Sequence, residues 1–182
     1  MGQPSAPPLV KPIVGLLAAS TALLDEARQV LTTAIATVEM VSERSEWTVS
    51  RYYQREMGSS LWRQYVAMAE LIRSDELVSL KLRTNEMEVR WRVAGGRRVN
   101  LDPGYIDLGK LVLASTKDAA QRVHLGQGIY AEATLRFVDG EFRPWPYTYA
   151  DYAAPDAIRF FNQVRERYRA QRRALPPAPA SG

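Results

Sequence analysis

The sequence predicts an α+β protein whose sheet is largely antiparallel, with helices packed on one face. Three observations carry this. Residues 97–142 contain several β-forming segments separated by glycine-bearing turns. Upstream, two stretches repeat apolar residues at helical spacing: Leu24, Ala27, Leu31 and Ala34, then Leu77, Leu80, Thr84, Met87 and Trp91. A third helical stretch follows the strands, so the order lacks the strict alternation that builds parallel sheets.

Residues 1–8 are rich in proline and small side chains and read as a flexible arm. Residues 13–19, IVGLLAA, form an unbroken apolar run, the pattern of a strand buried on both faces. Ser20 or Thr21 can cap the next helix by accepting a backbone N–H. Asp25 and Glu26 are expected in its first turn, where the helix dipole favours negative charge. Residues 37–49 read as one strand running on towards Tyr52 and Tyr53, with a turn at 58–60. Residues 61–68 fit either a helix or a strand. Ser74 is placed to cap the second helical stretch, although Met87, Val89, Trp91 and Val93 also alternate with charged residues. On a helix Glu86 and Glu88 diverge; on a strand they share a face. The helix is preferred, ending before Gly95 and Gly96.

Residues 97–101 begin a new strand. Asp102, Pro103 and Gly104 read as a turn, with proline presetting φ and glycine allowing a positive one. Residues 110–115 and 121–125 are strands. Residues 129–137 alternate strictly, as in a half-buried strand with an apolar face. Asp139-Gly140 is a type I′ hairpin signal. Residues 143–152, RPWPYTYADY, make an aromatic, proline-braced loop. Pro155 suits a first helical position. Ala157, Phe161, Val164 and Tyr168 form an apolar stripe, with Arg165, Arg169, Arg172 and Arg173 largely off it. Residues 175–182 form a Pro/Ala tail expected to be disordered. The order implies a ferredoxin-like βαββαβ core with added strands and a C-terminal helix, in one domain spanning 9–174.

Composition narrows the chemistry. The 182 residues carry a formal charge of +4, a mild excess that permits attraction to phosphate or nucleic acid without requiring it. There is no cysteine, which removes disulfides, Cys-ligated zinc, iron–sulfur clusters and thiol nucleophiles. The single histidine, His124, rules out sites built from several imidazoles, and no haem is expected. The remaining oxygen ligands suit Mg²⁺. No apolar run reaches the length of a membrane span, and the N-terminus lacks the basic-then-apolar order of a secretory signal. No membrane association and a cytoplasmic location are expected.

The runs NLDPGYI, KLVLASTKD, GIYAEATLRF and YTYADY, with VSRYYQREMG and KLRTNEMEV, resemble the bacterial DUF4416 family, a domain of unknown function. The resemblance covers nearly the whole chain apart from its termini. It implies a single uncharacterised domain, a strand at 61–68 and a helix at 75–88. The family carries no established activity, although some members bear the automatic label "GTP-binding protein". The chain departs from the family's usual residues at Gln121, His124 and Ala150.

The GTP label does not fit the residues. Gly104 to Lys110 has the GxxxxGK spacing of a phosphate loop. Yet Leu111 stands where a hydroxyl should ligate Mg²⁺, and a β-forming run follows instead of a helix N-terminus. In Thr116-Lys117-Asp118 the aspartate comes one residue too early for the guanine-reading TKxD. Ser115 and His124 have no hydrolase spacing, and there is no GxSxG.

What remains is a set of polar residues at strand ends. Asn100, Gly104, Lys117, Asp118, Arg122 and Asp151 are the ligand-binding candidates. Asp102 and Glu132 are candidates for a base or for Mg²⁺ ligands, with His124 as a third catalytic candidate. Turns and caps use the same residue types, and a sheet histidine is the plainer reading of His124. Two functions follow. One is binding of, or action on, a small anionic ligand, phosphorylated or a nucleotide. The other is a non-enzymatic RNA- or protein-interaction module using the basic C-terminal helix and the aromatic loop of Trp145, Tyr147, Tyr149 and Tyr152. Enzyme activity and oligomeric state stay open.

Overall fold

Lys11–Ala18 (β1) is buried along its whole length, with a strand paired on either side of it. The structure is a computed structural model that describes residues 6–49, 53–93 and 96–175. Past Leu175 the expected tail lies outside the described residues, as do residues 1–5 of the expected arm.

Ser20 accepts a hydrogen bond from Leu23 N at 3.3 Å and opens Thr21–Ala34 (α1), whose Leu24, Ala27 and Leu31 pack on the sheet. Because the helix opens at Thr21, Asp25 and Glu26 fall beyond its first turn, which holds no acidic residue. Glu26 instead accepts from Trp91 Nε1 at 2.9 Å. The single strand expected over 37–49 is broken into Val38–Val41 (β2) and Ser45–Glu46 (β3). A bulge after Val38 and the backbone and hydroxyl of Ser42, both bonded to Tyr65, separate them. The expected continuation through Tyr52 lies outside the described residues.

Gln54–Met57 (α2) precedes Trp62–Met68 (β4), so residues 61–68 are a strand. A 3₁₀ turn leads into Leu77–Glu88 (α3). That start is held by Glu76, which accepts from Arg73 N at 2.8 Å, not by Ser74. Glu86 is exposed and Glu88 buried, the divergence a helix imposes. Arg92–Val93 (β5) and Gly96–Arg97 (β6) pair as a small ribbon. Val99–Ile106 (β7), Lys110–Ser115 (β8), Val123–Gly126 (β9), Ile129–Val138 (β10) and Glu141–Pro144 (β11) follow, then Pro155–Ala174 (α4). At the β10–β11 hairpin Asp139 and Gly140 both have positive φ, 54° and 87°, as a type I′ turn demands.

The main sheet runs β11-β10-β8-β7-β1-β4-β2, antiparallel throughout, with β3 beside β4 and β9 beside β10. The segment β7-β1-β4-β2, with α1 and α3, is the ferredoxin-like core. β8, β10 and β11 extend it on the β7 side. Val14, Leu16 and Ala18 of β1 meet α1, and α3 covers Val112, Ala114 and Ile129 on the same face. The other side of β1 presents Ile13, which joins Tyr65, Ile106, Leu111 and Leu135 under Phe160, Phe161 and Val164 of α4. The two core helices thus share one face, and the C-terminal helix takes the opposite one. Each fully buried large apolar side chain contributes roughly 1.5–3 kcal/mol, so the sheet is stabilised from both sides.

This two-sided cover changes two expectations. On β10, Glu132 and Thr134 are buried rather than solvated, 3% and 0% exposed. On α4, Arg165 is buried too. Its guanidinium lies over the Phe137 ring and donates to Leu108 O at 2.9 Å. Among the described residues no helix is long and apolar enough to cross a membrane.

Candidate functional site

Asp102, Pro103 and Gly104 do not form a turn; they lie inside β7, paired with β1. The chain reverses further on, where Asp107 Oδ1 accepts from the N–H groups of Gly109 and Lys110 at 2.7 and 2.8 Å. The proline has a different consequence. β7 pairs with β8 only through Gly104, Tyr105 and Ile106. On the side away from β1, Leu101 N donates to Glu88 at 2.7 Å and Leu101 O accepts from Lys81 at 3.0 Å. Two residues along, on that same side, Pro103 has no N–H to offer. The ladder stops, β8 diverges, and a cavity of about 780 Å³ opens in the split.

Arg63 of β4 sits against this cavity, 5% exposed. Its guanidinium pairs with Asp151 at 2.6 Å and Asp102 at 3.1 Å. The rings of Tyr65 and Tyr152 lie 5.1 Å away and that of Trp47 5.7 Å. Burial works against the Arg63 charge, but Asp151, the two tyrosines and Asp102 outweigh it and raise its pKa well above the ordinary arginine value. Burial likewise pushes the Asp102 carboxyl up. Arg63, helped by Lys81 and Asn100, more than offsets this and leaves it below the usual carboxylate range. Both groups are ionised at neutral pH.

A second pair forms the opposite wall. Arg122 Nε donates to Glu132 at 2.9 Å, and its other nitrogens reach Ser115 Oγ, Lys117 O and Tyr149 Oη. Gln121 also donates to Glu132 at 3.1 Å. A third group comes from α3 and β6. Glu88 accepts from Arg97 at 3.1 Å, and Arg97 donates to Asn100 Oδ1 at 2.7 Å. Burial raises the Glu88 pKa despite Lys81, the Leu101 N–H and Arg97.

The split brings together Asn100, Asp102, Lys117, Arg122, Glu132 and Asp151 of the residues picked from the sequence. Three others stand apart. Gly104 lies at the closed end, where a Cβ would come within 2.2 Å of Val112 O; it serves the approach of two strands. Asp118 is exposed beyond the lip. His124 is exposed on β9, its ring 5.0 Å from that of Tyr130.

A sequence-family model described as a domain of unknown function, DUF4416, matches residues 8–168. The chain belongs to the DUF4416 family. All the cavity's walls fall within the matched residues. No curated protein and no solved structure matches the chain.

Sequence reasoning missed several of the residues that build this DUF4416 site. Arg63 is the main one. A charged side chain between Trp62 and Tyr65, inside an otherwise buried strand, was the available signal. Lys81, Asn85 and Glu88 were another, since that spacing places three polar groups on one side of a helix. Asp102 and Glu132 each face their own guanidinium. Among the described residues no three His, Asp or Glu side chains are grouped to hold a metal ion.

The basic helix and aromatic loop of the DUF4416 chain are engaged internally. On α4, Arg167 pairs with Glu39 and Arg169 with Glu166. In the loop, Trp145 stacks on Tyr147 at 6.1 Å with Arg136 over it. Tyr147 and Thr148 bond the carbonyls of Ala133 and Thr134, closing the stretch of β10 between β9 and β11.

Proposed function

We propose that the split between β7 and β8 binds a small anionic molecule of the phosphorylated or nucleotide class. One observation carries the reading. Polar side chains from β4, α3, β7, β8, β10 and the aromatic loop converge on one cavity whose volume, about 780 Å³, is that of a small-molecule site. Among the described residues six basic side chains and five carboxylates line it. The carboxylates already oppose guanidinium groups, and Lys117 and Arg122 stand where a phosphate or carboxylate enters.

A thermal-shift screen of nucleotides, sugar phosphates and simple dicarboxylates tests this. A ligand at a hundredfold excess over its Kd stabilises the folded state by about 2.7 kcal/mol. For a chain of this size that is a rise of roughly 5–10 °C. Lys117→Ala, at an exposed position, is expected to melt like the wild type and to lose most of the ligand-induced rise. A screen in which nothing shifts the wild type contradicts the reading.

A further inference from the structure

Most of the charged groups lining the cavity are engaged by one another. Arg63 opposes Asp102 and Asp151, Arg97 opposes Glu56 and Glu88, and Arg122 opposes Glu132. Lys81 donates to Leu101 O at 3.0 Å. These four basic side chains meet five carboxylates, so the middle of the cavity carries one net negative charge. The two other basic side chains of the lining, Arg92 and Lys117, are exposed.

The fold sets those two on opposite banks of the split. β7 and β8 run antiparallel, so the start of β7 and the end of β8 lie together at the open end. Arg92 is on the small ribbon, paired with Arg97 just ahead of β7. Lys117 follows the end of β8, and Arg122 Nη1 donates to its carbonyl at 2.7 Å. Each bank adds a neutral polar side chain. Lys81, Asn85, Glu88 and Arg92 recur at helical spacing along α3 and the 3₁₀ turn that follows it. Lys81 and Glu88 are bonded to Leu101, whereas Asn85 and Arg92 make no hydrogen bond or ion pair among the described residues. On the β8 bank Thr116 is exposed beside Lys117.

A ligand with one anionic group, seated at Lys117, leaves Asn85 and Arg92 unused. A second negative charge is repelled from the middle, where carboxylates are in excess, and attracted to the far bank. The middle suits hydrogen-bond donors instead. Asp102 and Glu56 keep 25% and 39% of their side chains exposed, and carboxylates only accept.

We infer that the cavity takes a ligand with two anionic groups joined by a neutral, hydroxyl-bearing middle. Thr116 and Lys117 hold one group, Asn85 and Arg92 hold the other, and the middle donates to Asp102 and Glu56. The inference deepens the anion-binding reading and rests on it. Once one group is seated, the second binds at a high effective concentration, so a two-ended ligand gains affinity over a one-ended one.

Calorimetric titration with paired sugar phosphates tests this. Fructose 1,6-bisphosphate and ribulose 1,5-bisphosphate are compared with fructose 6-phosphate and ribulose 5-phosphate. Hexane-1,6-diol bisphosphate, whose middle has no hydroxyl, is the third kind of probe. A sugar bisphosphate is expected to bind the wild type about tenfold or more tighter than its monophosphate, and tighter than the diol bisphosphate. Arg92→Gln should remove that advantage and leave the monophosphate unchanged, with Asn85→Ala giving a smaller loss of the same kind. Lys117→Gln should weaken both. Arg92 holds nothing among the described residues, so Arg92→Gln should melt at the wild-type temperature without ligand.

Equal binding of each bisphosphate and its monophosphate overturns the two-ended inference while anion binding stands. So does an Arg92→Gln protein that keeps the full advantage, or one that weakens both probes equally. Diol bisphosphate binding as tightly as fructose 1,6-bisphosphate overturns the assignment of the middle. No binding of any probe to the wild type removes both readings.

Discussion

The two ends of the β7–β8 pair are made from the same two strands and behave as opposites. At the closed end Ile106, Leu111 and Leu113 sit in the apolar cluster under α4, and the backbones are zipped together. At the open end Asn100 and Asp102 face Ser115 and Lys117 across a gap held by ion pairs, and the Tyr152 hydroxyl is buried without a partner. Proteins place stability in dry, well-paired regions and give some up where a ligand is to be received. Pro103 is the divider. It removes the one backbone donor that would continue the ladder, and α3 satisfies Leu101 in place of β8.

The sharpest way to break this division is at Arg63. Arg63→Gln leaves Asp102 and Asp151 buried without their counter-charge, and should destabilise the fold by about 3–5 kcal/mol at neutral pH, read by denaturant titration. The effect shrinks with acid. Because the Asp102 pKa is depressed in the folded wild type, its contribution is present above the unfolded carboxylate pKa, about 3.9. It is lost as pH falls through the folded value. The variant, with uncompensated carboxylates, should regain stability relative to the wild type as pH is lowered, narrowing the gap between them.

Leu111→Ala at the closed end, 0% exposed, should cost about 2–5 kcal/mol through lost burial and the cavity left behind. It should do so equally at pH 5 and pH 8, since no titrating group is involved. A milder probe bears on the open end from beneath. Gly15→Ala pushes a methyl against the Tyr152 hydroxyl and should cost roughly 1–3 kcal/mol. Combining it with Tyr152→Phe should recover part of that loss; additive costs would show that the two do not meet. Glu88→Gln should have the smallest effect, within about 1 kcal/mol at neutral pH. Burial raises the Glu88 pKa, so ionising it costs the folded state stability as pH rises through the ordinary carboxylate range, a cost glutamine avoids while keeping an acceptor for Leu101 N.

Much of the fold was legible because local chemistry and tertiary context agree in it. The apolar run after Lys11, the Ser20 cap, the Asp139-Gly140 hairpin and the α4 stripe each have one physical solution. Asp102-Pro103-Gly104 did not. The residues that reverse a chain also end a ladder, and only the position of α3 beside Leu101 decides which occurs. Arg165 and Glu132 were misplaced for a related reason: a charged residue reads as solvated until a partner from a distant segment is known.

The candidate site was legible to the extent that its members lie on β7, β8 and β10, where period-two alternation sorts the faces. Arg63 was not, since its own segment fitted two periodicities. Gly104 was chosen for ligand access and serves strand contact, a distinction set by Val112 on another strand.

The most direct test of the open end as a binding site is the backbone NMR spectrum during titration with millimolar inorganic phosphate. Amides of residues 113–122 and 149–152 should shift together along one saturable curve, while those of 104–106 and of α4 stay still. Shifts spread along the arginines of α4, or no shift at all, would contradict it.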